Sequence, residues 1–147
     1  MTPAEARAEL VLRLTNGSYT QGQYTLKAVH QDTGETRHCC LGVGGEIAVE
    51  EGICEWVPFV GEPSSVEATD LQDDGWELFA LRSIGTRTET PDVLTDAARR
   101  FFGLRKSDGA YQTDLFDAHR SLALDNDSGI PFDQIAERIA NDESLLS

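Results

Sequence analysis

Residues 24–40, which read YTLKAVHQDTGETRHCC, contain the stretch of the chain that decides the fold. Two segments with strand composition, Tyr24–His30 and Glu35–Cys40, flank a short polar stretch. Within that stretch Asp32 and Gly34 stand where a hairpin turn requires such residues. Polar and apolar residues alternate along the first segment, so one of its faces is more apolar than the other. This pattern predicts an antiparallel hairpin.

Segments on both sides of the hairpin have helical periodicity or helix-capping residues. The predicted helices are a short one ending at Asn16-Gly17, a buried one over Cys40–Val49, one capped by Thr90 with Pro91 in its first turn and Gly103 after its last, one over Leu115–Leu124, and one starting at Pro131. The second of these contains three glycines, which would let a backbone or an aromatic ring approach it closely.

The middle third of the chain is less regular. It predicts a strand over residues 56–60, confined to a sheet edge by Pro58, and another strand over residues 76–82. Residues 61–74 have the composition of a polar, acidic loop, and Asp125–Gly129 that of a break between helices. A chain of 147 residues is long enough for one stable core. We therefore expect an α+β fold with a single domain over residues 1–147, in which a small antiparallel sheet (hairpin about 24–40) packs with four to five short helices.

The charge of the chain excludes several classes of partner. There are 26 acidic residues against 12 lysines and arginines, a formal net charge of −14. Direct binding of nucleic-acid phosphates depends on clustered basic residues, and anionic membranes attract them too, so neither partner is expected. Nor does any apolar run have the length of a transmembrane helix. The acidic excess is compatible with salt adaptation, with a solvated surface, or with a face that imitates nucleic acid.

The sequence contains no coherent metal, cofactor or catalytic set. His38-Cys39-Cys40 lacks the second pair of ligands that structural zinc requires. A cysteine nucleophile would need a base, and the candidates His30, His38 and His119 are scattered along the chain. We expect the three cysteines to be reduced, buried thiols in a cytoplasmic protein, since the N-terminal residues do not resemble a secretory signal.

Three further motifs do not match the sequence patterns that their functions require. Residues 125–136 lack the glycine and glutamate positions of a calcium loop, and Gly42–Gly45 lacks the spacing of a nucleotide-binding loop. The pair of helices between Leu115 and Ile139 resembles a helix-turn-helix, but its exposed face is acidic. This favours a role in packing or in interaction over recognition of DNA. The aromatic residues that we interpret as core or as a partner surface are Trp56, Phe59 and Trp76.

Three separated blocks resemble a family of small uncharacterised proteins encoded by tailed phages and prophages. The blocks are Leu14-x-x-Gly17-x-Tyr19-x-Gln21-Gly22 with Leu26, Cys39-Cys40-Leu41-Gly42-Val43 with Glu46-x-Ala48, and Gly103-Leu104, Asp108-Gly109-x-Tyr111, Leu122-Ala123, Asn126-Asp127-Ser128-Gly129 and Phe132-x-x-Ile135-Ala136. The motif residues that we single out are Tyr19, Gln21, Gly22, Cys39, Cys40, Gly42, Asn126, Asp127 and Gly129.

The chain departs from that family in three places. Gly44 and Gly45 replace a bulkier residue and a further cysteine, which weakens any cysteine-cluster mechanism. Pro131 stands where members of the family tend to carry a hydroxyl residue that caps the last helix. Residues 50–90 have no counterpart, so we interpret them as a lineage-specific insertion.

The resemblance implies phage origin and expression inside the host, without an established activity. Together with the charge, it predicts a non-enzymatic accessory protein of the host cytoplasm that binds a host protein or a defence component, with no cofactor. Two alternatives stay open at this point. One is a structural protein associated with the virion, and the other is a small-molecule-binding or cysteine-dependent enzyme that uses Cys40 and a histidine.

Overall fold

The 24–40 hairpin forms one side of an antiparallel sheet in the computed structural model, which describes residues 1–111 and 120–147. The strands are β1 (Lys27–His30), β2 (Thr36–His38), β3 (Cys54–Pro58), β4 (Trp76–Ser83) and β5 (Glu89–Thr90), followed by a separate pair of β6 (Ala110–Tyr111) and β7 (Arg120–Ser121). The strand order is β2-β1-β4-β3, and β5 also pairs with β4. Strand β3 is at the edge of the sheet, as the sequence predicts, but it lies two residues earlier than the predicted 56–60 and ends in Pro58.

Six α-helices lie among the described residues, one more than the upper number expected. They are α1 (Pro3–Thr15), α2 (Cys40–Glu50), α3 (Val66–Asp73), α4 (Asp96–Phe102), α5 (Leu122–Asp127) and α6 (Phe132–Asn141), and a 3₁₀ turn follows at Glu143–Leu145. The α+β prediction is confirmed. None of the helices in the described ranges combines the length and the apolar character needed to cross a membrane.

Two hydrophobic clusters cover opposite faces of the sheet. The larger one packs α1, α2, α4, α5 and α6 together, and it includes Leu81 of β4. The smaller one consists of Ala28, Trp76 and Leu78 from the sheet and Ala68 from α3. Because side chains alternate along a strand, Leu78 and Leu81 point to different faces. Helix α3 therefore lies on the face opposite the main core.

Helix α2 packs closely against its neighbours in the main core. A Cβ at Gly42 would lie 1.7 Å from the carbonyl oxygen of Leu26, and one at Gly45 would lie 2.9 Å from the Trp56 ring. At Gly44 the nearest neighbour would be the Phe102 ring, 3.2 Å away. The prediction that glycines here admit a backbone and aromatic rings is confirmed.

The segment at residues 61–74 was wrongly predicted to be a loop throughout. Ser65 caps α3 there by accepting a hydrogen bond from the backbone N–H of Ala68 at 3.1 Å. Ala68 is the one buried residue of this helix, so no apolar stripe marks it in the sequence.

Helix α4 begins five residues later than Pro91. Thr90 lies in β5 opposite Leu81, and the Pro91 carbonyl accepts a hydrogen bond from the backbone N–H of Leu26. Because that carbonyl bonds to the hairpin segment, α4 does not begin at Pro91, and Thr95 is its N-cap residue instead. The end of the helix at Gly103, with φ of 66°, is as predicted.

The hairpin and the last helices show smaller shifts. Strand β2 ends at His38, because Cys39 caps α2 and Cys40 is its first residue. Asp125–Asp127 belong to α5, and the break comes only at Ser128-Gly129, since Ser121 caps the helix and both Asp125 and Asn126 are buried. Residues 112–119, which include half of the predicted helix over Leu115–Leu124 as well as His119, lie outside the described residues. In the other half, Arg120–Ser121 form β7 and the helix begins only at Leu122.

Residues 50–90 supply β3, α3, β4 and β5. Strand β4 is central, since it pairs with β1 on one edge and with β3 on the other. Whatever its origin, this segment forms an integral part of the sheet. Its interpretation as a lineage-specific insertion stays a prediction.

Candidate functional site

The motif residues from all three sequence blocks meet around the side chain of Asn126. Its Oδ1 accepts hydrogen bonds from Gln21 Nε2 at 3.0 Å and from the backbone N–H of Cys40 at 3.1 Å. Its Nδ2 donates to the carbonyl of Gly22 at 2.7 Å. Asn126 is fully buried, so these bonds replace hydration that the amide has lost. We call this set of contacts the Asn126 junction.

The junction also replaces the cap that α6 lacks. Pro131 occupies the N-cap position and offers no side-chain acceptor. Gln21 Oε1 instead accepts a hydrogen bond from the backbone N–H of Phe132 at 3.2 Å, while Gln21 Nε2 donates to the carbonyl of Ile130 at 2.8 Å. A residue distant in sequence thus satisfies a helix end that the local sequence leaves open.

Asp127, the next residue, holds Tyr24 in an unusual backbone conformation. The Tyr24 φ is 69°, a region that residues other than glycine rarely adopt. Its backbone N–H donates to Asp127 Oδ1 at 2.7 Å. Burial raises the pKa of Asp127, and the nearby carboxylates of Asp92 and Glu67 add to that effect.

Tyr24 lines a groove with a volume of about 460 Å³. Its lining comes from three parts of the chain, namely the segment of residues 21–25, Ala28 and Trp76 of the sheet, and α3. The lining residues are Gln21, Gly22, Gln23, Tyr24, Thr25, Ala28, Arg37, Glu67, Asp70, Leu71, Trp76 and Gly129. Strained backbone conformations cluster at functional sites. Here the strained residue, Tyr24, lines the groove.

Charged side chains line both sides of the groove. The guanidinium of Arg37 lies over the Trp76 ring, 4.4 Å from its centroid, and its Nε donates to Glu35 at 3.2 Å. Glu67 and Asp70 are exposed on the α3 side. Neither of these two carboxylates has an ion-pair partner among residues 1–111 and 120–147. The arrangement suits a ligand that carries positive charge and some flat or apolar surface.

The three aromatic candidates are separated by the sheet. Trp76 lines the groove, and Phe59 packs against the small cluster beneath it. Trp56 lies on the other face, where its indole N–H donates to Glu46. Only Trp76 of the three is thus both part of the small cluster and part of an open groove.

Glu46 is the centre of a second polar cluster, on the main-core face of the sheet. Its Oε2 lies 2.9 Å from His38 Nε2 and 3.2 Å from Lys27 Nζ. The Tyr19 ring stands edge-on against His38, with centroids 4.9 Å apart. Although burial alone would raise the pKa of Glu46, the hydrogen bonds from His38 and Trp56 and the charge of Lys27 lower it to about 2. Because its groups satisfy one another, we assign this cluster to stability.

We expect Glu46→Gln to lower the free energy of unfolding by about 2 kcal/mol at neutral pH, because charge-assisted hydrogen bonds are replaced by weaker ones. The lowered pKa means that ionised Glu46 stabilises the fold above pH 4.5 and that this contribution is lost as the pH falls towards about 2. Urea unfolding across that range should show a flatter pH dependence for the variant than for the wild type. The exposed Glu137→Gln serves as the control, and an equal pH dependence in wild type and Glu46→Gln would contradict the assignment.

The cysteines have structural environments. All three are free and buried. Cys39 Sγ accepts the backbone N–H of Gly42 at 3.4 Å, and Cys40 Sγ donates to the carbonyl of Leu122 at 3.5 Å. Burial raises the pKa of Cys39 to about 12 and that of Cys40 well above its usual range. Such thiols are poor sources of the thiolate that a cysteine nucleophile requires.

Metal ligation has no support in the described part of the chain. Residues 1–111 and 120–147 contain no group of three histidine, cysteine or acidic side chains placed to hold an ion.

The groove itself is not visible in the sequence pattern. Arg37, Tyr24, Glu67 and Asp70 were not singled out, because α3 was interpreted as loop and Tyr24 as an ordinary strand residue. The one available signal was the acidic composition of residues 61–74, which becomes informative only when a helix places these acids beside Trp76.

Comparisons with family models, with curated proteins and with solved structures give no match to this chain.

Proposed function

We propose that this protein is a non-enzymatic, acidic binding module that takes a basic segment of a protein partner into the groove between residues 21–25 and α3. In the phage setting that the sequence motifs suggest, the partner is a host protein or a defence component. The observation that carries the proposal is that Glu67 and Asp70, which have no ion-pair partner among residues 1–111 and 120–147, line the same open volume of about 460 Å³ as Trp76.

Electrostatics support a basic partner. The net charge of −14 attracts cationic surfaces over a distance and raises the rate of encounter. Acidic residues also lie close to the groove wall, since the carboxylates of Asp92 and Glu67 both add to the burial that raises the pKa of Asp127. Partner and groove are therefore complementary in charge.

The wall of the groove is built to keep its shape. Gln23 Nε2 donates to the carbonyls of Asn126 and Asp127, each at 3.3 Å, and Asp127 fixes the Tyr24 backbone. A site that is ordered before binding loses less conformational entropy when a ligand enters. The motif residues Asn126 and Asp127 take part in these hydrogen bonds. Because the bonds order the groove wall before a ligand enters, they favour a binding role for the motif residues.

The test measures calorimetric binding of capped peptides in which glycine alternates with arginine, lysine or glutamate. We expect the basic peptides to bind and the acidic one not to bind. The double variant Glu67→Gln/Asp70→Asn should weaken binding of the basic peptides by about tenfold, because both groove carboxylates are lost.

The matched control is Asp133→Asn/Glu137→Gln on the exposed side of α6, which changes the net charge by the same amount. This variant should retain nearly wild-type affinity. Equal weakening by the two double variants would show that only overall charge matters. That result, or the absence of binding by any basic peptide, would overturn the proposal.

A further inference from the structure

Resting on the proposed function, we infer that Trp76 is a stacking platform for a guanidinium group, that Arg37 occupies this platform in the free protein, and that an arginine of the partner replaces it. The Arg37 side chain of the protein itself shows how a guanidinium group can lie on this ring. Arg37 Cζ lies 4.4 Å from the Trp76 ring centroid, inside the distance at which cations bind aromatic faces. Both residues line the groove.

The register of the sheet explains why Arg37 reaches this ring. Ala28 of β1 lies opposite Arg37 on one side and opposite Leu78 on the other, and Trp76 lies on the same face two residues before Leu78. Gly22 gives the Arg37 stem room, since a Cβ there would lie 2.9 Å from Arg37 Cβ. The platform is thus covered by a side chain of the hairpin itself.

Arg37 is held only weakly in this position. Its side chain is 41% exposed, and its ion-pair partner Glu35 is 45% exposed. Exposed ion pairs of this kind contribute little to stability. Because Glu35 lies close in sequence on the same hairpin, Arg37 can keep this carboxylate when it leaves the ring.

A ligand arginine would gain contacts that Arg37 lacks. Glu67 and Asp70 line the same groove, yet neither forms an ion pair with Arg37. A planar guanidinium can stack on an aromatic ring and donate to carboxylates with its edge at the same time. A lysine ammonium has no planar face, so the platform selects arginine over lysine.

The decisive variant is Arg37→Lys, which keeps the charge but removes the planar group. We expect the wild type to bind the arginine peptide at least about fivefold more tightly than the lysine peptide. Arg37→Lys should then bind the arginine peptide about threefold more tightly than the wild type, because the platform is less well covered. Arg105→Lys, at an exposed position away from the groove, should leave the affinity unchanged.

The outcomes separate this inference from the proposed function. If both basic peptides bind equally and Arg37→Lys leaves their affinities unchanged, the groove takes basic segments but the platform is not exchanged, and the inference is wrong. If Arg37→Lys weakens the arginine peptide, Arg37 is a contact for the ligand and the inference is again wrong. Absence of binding by the wild type would overturn both.

Discussion

Gly42→Ala should prevent the chain from reaching its native structure under ordinary conditions. An added Cβ would lie 1.7 Å from the carbonyl oxygen of Leu26 and 2.6 Å from its carbonyl carbon, so the clash is with backbone. That carbonyl cannot retreat freely, because it accepts the backbone N–H of Cys39, while the N–H of Leu26 donates to Pro91. Alanine would favour the helix by about 1 kcal/mol, far less than the expected loss of at least about 5 kcal/mol.

The other two glycines of α2 provide graded controls within one helix. Gly45→Ala meets the ring of Trp56, a side chain that is only partly buried and can shift. Gly44→Ala meets the ring of Phe102 at 3.2 Å, and although this ring is fully buried it has to give by only a few tenths of an ångström. Measured by circular dichroism and urea unfolding, the loss of stability should be largest for Gly42→Ala, intermediate for Gly45→Ala and smallest for Gly44→Ala. A Gly42→Ala protein as stable as wild type would show that the close contact with Leu26 is not required.

Local sequence signals predicted those parts of the fold that local interactions determine. The hairpin, α1, α2 and α6 follow from turn residues and apolar periodicity, and the C-terminal glycine of α4 follows from its need for positive φ. Helix α3 has one buried residue, so its pattern was too weak to separate it from a loop. The start of α4 depends on what the Pro91 carbonyl bonds to, which is a contact with the hairpin far away in the sequence.

For the candidate site, too, the sequence indicates individual residues but not the long-range contacts between them. Gln21, Gly22, Asn126 and Asp127 were identified from the motifs, yet their spacing along the chain gives no sign that they share one junction. The groove needs, in addition, a strained Tyr24, which has no signature in one sequence, and the acids of α3, whose acidic composition does not show that they lie beside Trp76. A site made of long-range contacts is visible only once the chain is folded.

Asn126→Ala should lower the free energy of unfolding by about 4 kcal/mol. The substitution leaves the backbone N–H of Cys40 and the carbonyl of Gly22 without their partner and removes one of the two acceptors of Gln21 Nε2. A buried polar group left unsatisfied costs about 1–3 kcal/mol, and the affected groups lie around a residue that is 0% exposed. Urea unfolding followed by circular dichroism measures the loss.

Asn141→Ala is the control for this prediction. Its side-chain amide donates to the carbonyl of Glu137 on the exposed part of α6, so its removal should change stability by less than about 0.5 kcal/mol. Gln21→Ala and the double variant complete a cycle. Because both side chains serve the same junction, the loss in the double variant should be smaller than the sum of the single losses. Additive losses, or a cost below about 1 kcal/mol for Asn126→Ala, would mean that the junction does not hold the three motif blocks together.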